Sequence, residues 1–186
     1  FHVLNSYPNI KRAVINDINE DLISCYKLIK ENPMALIKAL EEIGVRMLDN
    51  ESMAAGSLKI MGLTLPERYY NRRKKPELSK ETIESLIGAN EPDKFEILLA
   101  HDPEYFESYV EYGSSLVLSG HFHGGIVRLF GRGVISPRLK FFPKYSGGIY
   151  EEDGTVMVVS CGLGGHTIPW RMFNPGEIIV LNLKKE

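Results

Sequence analysis

Residues 95–125 read FEILLAHDPEYFESYVEYGSSLVLSGHFHGG, and this run decides the fold. Phe95 to Ala100 is a short apolar segment of strand length, and so is Ser115 to Ser119. Pro103 to Tyr112 between them reads as helix, so the run is strand–helix–strand and points to an α/β fold. Both strands run out into histidine: Ala100 into His101, and Ser119-Gly120 into His121-Phe122-His123. In α/β sheets ligands collect at the carboxyl ends of strands, where a rigid sheet aims loop side chains into a crevice. Imidazole is the commonest neutral ligand for divalent transition metals, which makes His101, His121 and His123 the candidate metal ligands. On an extended strand His121 and His123 would share a face. In a loop flanked by Gly120, Gly124 and Gly125 they would instead diverge toward two adjacent ions.

Outward from that run, Asn32-Pro33 predicts a helix bearing Leu36, Ile37, Leu40 and Ile43 on one face and ended by Gly44. Ser79 predicts a second helix over about 80–87, ended by Gly88. Further strands are expected at Val45–Leu48, Leu58–Leu63, Ile126–Phe130, about Val156–Ser160 and Glu177–Leu183. At the front, Ala13-Val14-Ile15 is a strand candidate, and the Asx-rich Asn16 to Asn19 caps a helix over about 20–30. The basic, tyrosine-bearing stretch from Arg68 to Lys75 reads as a solvated loop. His2 and His166 carry no separate signal, and no internal repeat is present.

Composition narrows the classes. The 186 residues carry 22 Lys and Arg against 24 Asp and Glu, a net charge of −2. A general polyanion binder would show a basic excess, so no nucleic-acid partner is expected. No apolar run exceeds four residues, and no transmembrane segment is expected. Cys25 and Cys161 lie far apart without CxxC spacing, which excludes a disulfide framework or a zinc knuckle and suggests a reducing, cytoplasmic setting.

Leu98 to Tyr105 (LLAHDPEY) and Gly120 to Gly125 (GHFHGG) resemble the last two metal motifs of calcineurin-like metallophosphoesterases. The similarity runs from about residue 44 to 183, through Val45 to Asn50, Gly133 to Pro137, Phe142 to Tyr145 and Gly162 to Gly164. It is closest to the bacterial branch of YkuE- and YaeI-type phosphodiesterases. The resemblance implies part of a four-layer α/β/β/α sandwich, its C-terminal half, with a short N-terminal strand–helix appendage. It also implies a two-metal site clamping a phosphate ester, with manganese, iron or zinc as the metal and activated water as the attacking group. By motif position His101 and His121 would serve one ion and His123 the other. A small phosphate ester or a lipid head group is the implied substrate.

The family's first half supplies an Asp-x-His pair, a Gly-Asp whose aspartate bridges the ions, and an Asn-His-Asp/Glu motif; none occurs in residues 1–100. Without the bridging carboxylate little offsets the repulsion between two divalent ions. One ion or none is therefore expected here, with phosphoesterase activity impaired, or a non-catalytic metal-binding fragment. Tyr7 to Asn19, continuing to Pro33, is similar instead to an internal piece of Dam-type DNA adenine methyltransferases. There Asp17 would match the acidic residue that contacts the ribose of S-adenosylmethionine, although the Phe-x-Gly-Gly and Asp-Pro-Pro-Tyr-like motifs of such enzymes are absent. A junction is expected between residues 33 and 44, giving segments 1–33 and 34–186 and a chimeric or truncated chain. A half sandwich would bare one apolar sheet face, which a homodimer would cover.

Overall fold

Asn32 opens the first helix, α1 (Pro33–Glu42), by accepting the Ala35 amide on its side-chain oxygen at 3.1 Å. Pro33 occupies the first turn, where a missing amide proton costs nothing. Gly44, at φ +86°, turns the chain out, and the Gly44 and Val45 amides close on Glu41 O and Leu40 O. This computed structural model describes residues 32–70, 75–135, 141–163 and 171–184. The chain divides into two units, 1–47 and 48–186. In the first, α1 is the described helix; the expected strand at 13–15 and helix at 20–30 lie outside the described residues.

The second unit holds strands β1 (Glu51–Ala55), β2 (Leu58–Leu63), β3 (Phe95–Ala100), β4 (Leu116–Ser119), β5 (Val127–Leu129), β6 (Arg132–Ile135), β7 (Gly148–Glu152) and β8 (Thr155–Val159). Helix α2 (Lys80–Ile87) joins β2 to β3, and α3 (Phe106–Tyr112) joins β3 to β4. Six strands form one sheet in the order β1-β2-β3-β4-β8-β7. β2, β3, β4 and β8 run parallel, while β1 and β7 close the two edges antiparallel. β5 and β6 form a separate hairpin.

Period-two alternation explains the layering. The register places Met61 beside Leu98, Leu98 beside Val117 and Val117 beside Met157, and all four are fully buried. Ile83 and Ile87 of α2 and Phe106, Tyr109 and Tyr112 of α3 share this core, so both helices cover one face. Each such buried side chain is worth roughly 1.5–3 kcal/mol. The opposite face carries Ile97, Leu116 and Val158, with Leu58, Ile60, Leu118 and Val156 packed around them. It is only partly bare: the first three are buried, whereas Leu99 and Ile149 are exposed. One helix layer on one sheet is the partial sandwich expected from the sequence.

Two expected strands differ. Val45–Leu48 forms no strand, because Leu48 crosses over the face of β2 instead of lying along an edge. A β-carbon on Gly62 would stand 2.2 Å from the Leu48 carbonyl oxygen, so only glycine fits there. Glu177–Leu183 pairs with neither sheet edge, and its Ile178 and Val180 are exposed. A strand needs a neighbour's backbone as well as β-forming residues. Among the described residues no helix is long and apolar enough to cross a membrane.

At the amino ends of the strands, Glu96 is fully buried and fully satisfied. It accepts from Lys59 Nζ at 2.8 Å, Asn90 Nδ2 at 2.7 Å and the Glu91 amide at 2.9 Å. Lys59 also reaches Glu91 at 3.0 Å and Ala89 O at 3.2 Å. Burial, the largest influence on the ammonium, pulls its pKa down, but the bonds to Glu96 and Glu91 leave it above the ordinary lysine value. Glu96→Ala would leave that buried ammonium with only the half-exposed Glu91 and Ala89 O as partners. The expected loss is about 3–5 kcal/mol in urea unfolding, and a Lys59→Met/Glu96→Leu pair should lose much less.

Candidate metal centre

β3, β4 and β8 end side by side, and their ends are stitched together. Ser119 Oγ donates to Ala100 O at 2.6 Å, the Gly120 amide to His101 O at 3.2 Å, and the Ser160 amide to Ser119 O at 3.0 Å. These bonds bring the residues just past the strands to one rim. The His101 and His121 rings meet edge to face there, with centroids 5.0 Å apart and planes at 88°.

The loop after β4 takes the diverging form. His121, His123, Gly124 and Gly125 all have positive φ, at 68°, 49°, 74° and 87°. Histidine visits this region more readily than most residues, and such strain gathers at functional sites. Phe122 is buried and pins the loop; its amide donates to Gly120 O and its carbonyl accepts from the Gly125 amide. His121 is left on the His101 side. His123 lies against Gly162, where a β-carbon would stand 3.9 Å from its Nδ1.

The structure thus brings two of the three expected ligands together. Among the described residues no three His, Cys, Asp or Glu side chains stand grouped as metal ligands. Two neutral imidazoles by themselves do not fit a two-ion centre, which needs carboxylate to offset the ions' charge. His2 and His166 lie outside the described residues.

Several residues that shape this rim gave no signal in the sequence. Asn174, buried, donates through Nδ2 to His123 O at 2.6 Å and to Gly125 O at 2.8 Å, holding the histidine loop in place. Arg171 fixes Asn174 in turn, its Nε on Asn174 O at 2.9 Å, and reaches Gly162 O at 3.1 Å. Any side chain at Gly124 would stand 2.5 Å from Asn174 Oδ1. Cys161 lies under the same loop against the Arg128 guanidinium, and its amide donates to Glu177 at 2.8 Å. Burial and the Glu177 charge hold its thiol above the usual pKa against the pull of Arg128, so it stays protonated at neutral pH.

The stretch read as a solvated loop is in part built into the protein. Residues 67–70 form a 3-10 turn with Tyr69 buried, and Tyr70 stands 6.3 Å from the His121 ring. Lys75 pairs with buried Asp102 at 2.6 Å and with Glu104 at 2.5 Å. Arg72, Arg73 and Lys74 lie outside the described residues.

The larger part of the chain is similar to the metallophosphoesterases, and its front is similar to the DNA adenine methyltransferases. It is 33% identical over 150 residues to an uncharacterized metallophosphoesterase of Helicobacter pylori, covering 80% of this chain and 38% of the relative. It is 37% identical over 91 residues to the uncharacterized metallophosphoesterase YkuE of Bacillus subtilis, covering 48% of this chain and 31% of the relative. An uncharacterized metallophosphoesterase of Campylobacter jejuni, Cj0846, is 30% identical over 141 residues, 75% of this chain and 35% of its own length. The chain thus spans well under half of each. The profile of the D12 class N6 adenine-specific DNA methyltransferases matches residues 1–90 and so overlaps the metallophosphoesterase similarity. No solved structure matches.

Desolvation holds His101 below the ordinary imidazole pKa of 6.5, with the Asp102 carboxylate pulling the other way. A lowered folded value means that the unfolded chain takes the proton first. This contribution to stability is therefore whole above pH 6.5 and is lost as pH falls through the folded value. In the metal-free chain the His101 ring should titrate by NMR with a midpoint below 6.5; a midpoint at or above it would contradict this environment.

Proposed function

We propose that residues 34–186 carry one ligand-bearing layer of a metal-dependent phosphoesterase, acting on phosphodiesters or phosphomonoesters. The observation that carries this reading is the His101–His121 pair at the carboxyl ends of β3 and β4, on a chain related to metallophosphoesterases. The ligand assignment puts His101 and His121 on one divalent ion (manganese, iron or zinc) and His123 on the other. Turnover by this chain alone is impaired, because the imidazoles bring no negative charge and the family's carboxylate motifs do not occur in it. The absence of a three-ligand group among the described residues favours, as a second reading, a non-catalytic metal-binding fragment. The substrate class is a small phosphate ester or a lipid head group, the setting cytoplasmic, and the partly bare sheet face the surface of a homodimer.

Metal analysis of the purified chain, paired with manganese-stimulated hydrolysis of bis-p-nitrophenyl phosphate, tests the reading. One bound ion or none is expected, with any turnover above the metal background removed by His121→Ala. Two tightly bound ions with full turnover would overturn the impairment, and metal binding indifferent to His121→Ala would overturn the ligand assignment.

The methyltransferase similarity supports a separate reading for residues 1–33, an S-adenosylmethionine-related module using Asp17, which lies outside the described residues. Titration calorimetry of the full chain with S-adenosylmethionine should show heat that Asp17→Ala abolishes; no heat from the unaltered chain would dispose of the module.

A further inference from the structure

β5 and β6 meet in a two-residue turn, Leu129 pairing with Arg132 across Phe130-Gly131. Both turn residues have positive φ, 48° and 78°, the signature of a type I′ hairpin. Asn-Gly is the pair such a turn favours, yet a phenylalanine stands at its first position, fully exposed. The pattern repeats on both flanks. Phe141 bridges to Ile135, and the Phe142 amide donates to Val134 O at 2.8 Å, so this segment runs along β6 toward the tip. Met172 bridges in parallel to Val127, so Phe173 runs along β5 toward the same tip. Phe142 and Phe173 also have positive φ, 49° and 54°, and stay exposed. Aromatic residues in left-handed backbone, turned to water on one small sheet, are poor choices for folding alone and mark a surface that does something else.

We propose that this hairpin tip docks on an anionic lipid bilayer. The local sequence is basic: between Tyr112 and Tyr150 it has five Arg and Lys and no Asp or Glu, in a chain whose net charge is −2, although Lys144 pairs with Glu107 at 3.0 Å and Arg128 lies against Cys161. Arg132, beside the tip, is exposed and makes no ion pair among the described residues. Single aromatic rings projecting from turns enter the head-group region without needing a matching cavity, and neighbouring cations draw them to anionic lipid. A protein partner would instead be expected to bury a flatter apolar patch. The hairpin follows the histidine loop by two residues, and Asn174 and Arg171, which hold that loop, flank Met172 and Phe173. Docking would therefore set the imidazole rim at head-group level. Bilayer binding itself does not depend on the phosphoesterase reading.

Sedimentation of the full chain with vesicles of equal phosphatidylglycerol and phosphatidylcholine tests this. The unaltered chain should bind these vesicles, bind pure phosphatidylcholine much less, and weaken as salt rises. Phe130→Asn/Phe142→Asn/Phe173→Asn places the residue best suited to each positive φ, so the variant should fold at least as well. It should lose about 1,000-fold in partition coefficient, at about tenfold for each of the three rings. Equal partitioning of the two proteins, or none by the unaltered chain, would overturn the proposal. So would a dimer in light scattering that the triple variant turns to monomer without change in vesicle binding, since the tip would then join two copies.

Discussion

Four side chains in a row, Met61, Leu98, Val117 and Met157, set the register of β2, β3, β4 and β8, and the rim follows from that register. They are fully buried under α2 and α3, and a slip of one residue would turn the whole row onto the other face. With the row in place, Ala100 and Ser119 end level, and the Ser119 hydroxyl closes on the Ala100 carbonyl. His101 and His121 meet because two parallel strands stop together. At the other end of the same strands the Glu96–Lys59 network satisfies the buried carboxylate of Glu96.

His121 and His123 both take left-handed backbone, with buried Phe122 as the fixed point between them. Asn174 then binds the carbonyls of His123 and Gly125 and keeps the loop from relaxing toward extended chain. The outcome is two imidazoles on different sides, one against His101 and one against Gly162. Imidazoles parted in this way bring no negative charge, so any pair of divalent ions between them would need carboxylate from elsewhere. The relatives that share this stretch extend well beyond it.

Much of the fold was legible because its signals are local. Ser79 and Gly88 bracket α2, FEILLA is β3 residue for residue, and Asn32-Pro33 starts α1. The misread segments were those whose state depends on a distant neighbour. Val45 to Leu48 has strand residues but pairs with no strand, Leu48 lying over Gly62 of β2, and Glu177 to Leu183 has them but finds no edge. Lys75 looks solvated in the sequence because the Asp102 that binds it is 27 residues away.

The residue types at the strand ends were set by the sequence itself: His101, the His121-Phe122-His123 triplet and the glycines around it are chemistry written in order along the chain. Their arrangement was not. Whether the paired histidines shared a face or parted depended on backbone angles held by Asn174, 51 residues from His123, and on the common stopping point of two strands. Local pattern specifies elements because its forces act within a few residues. The shape of this rim was decided by hydrogen bonds between segments that only folding brings together.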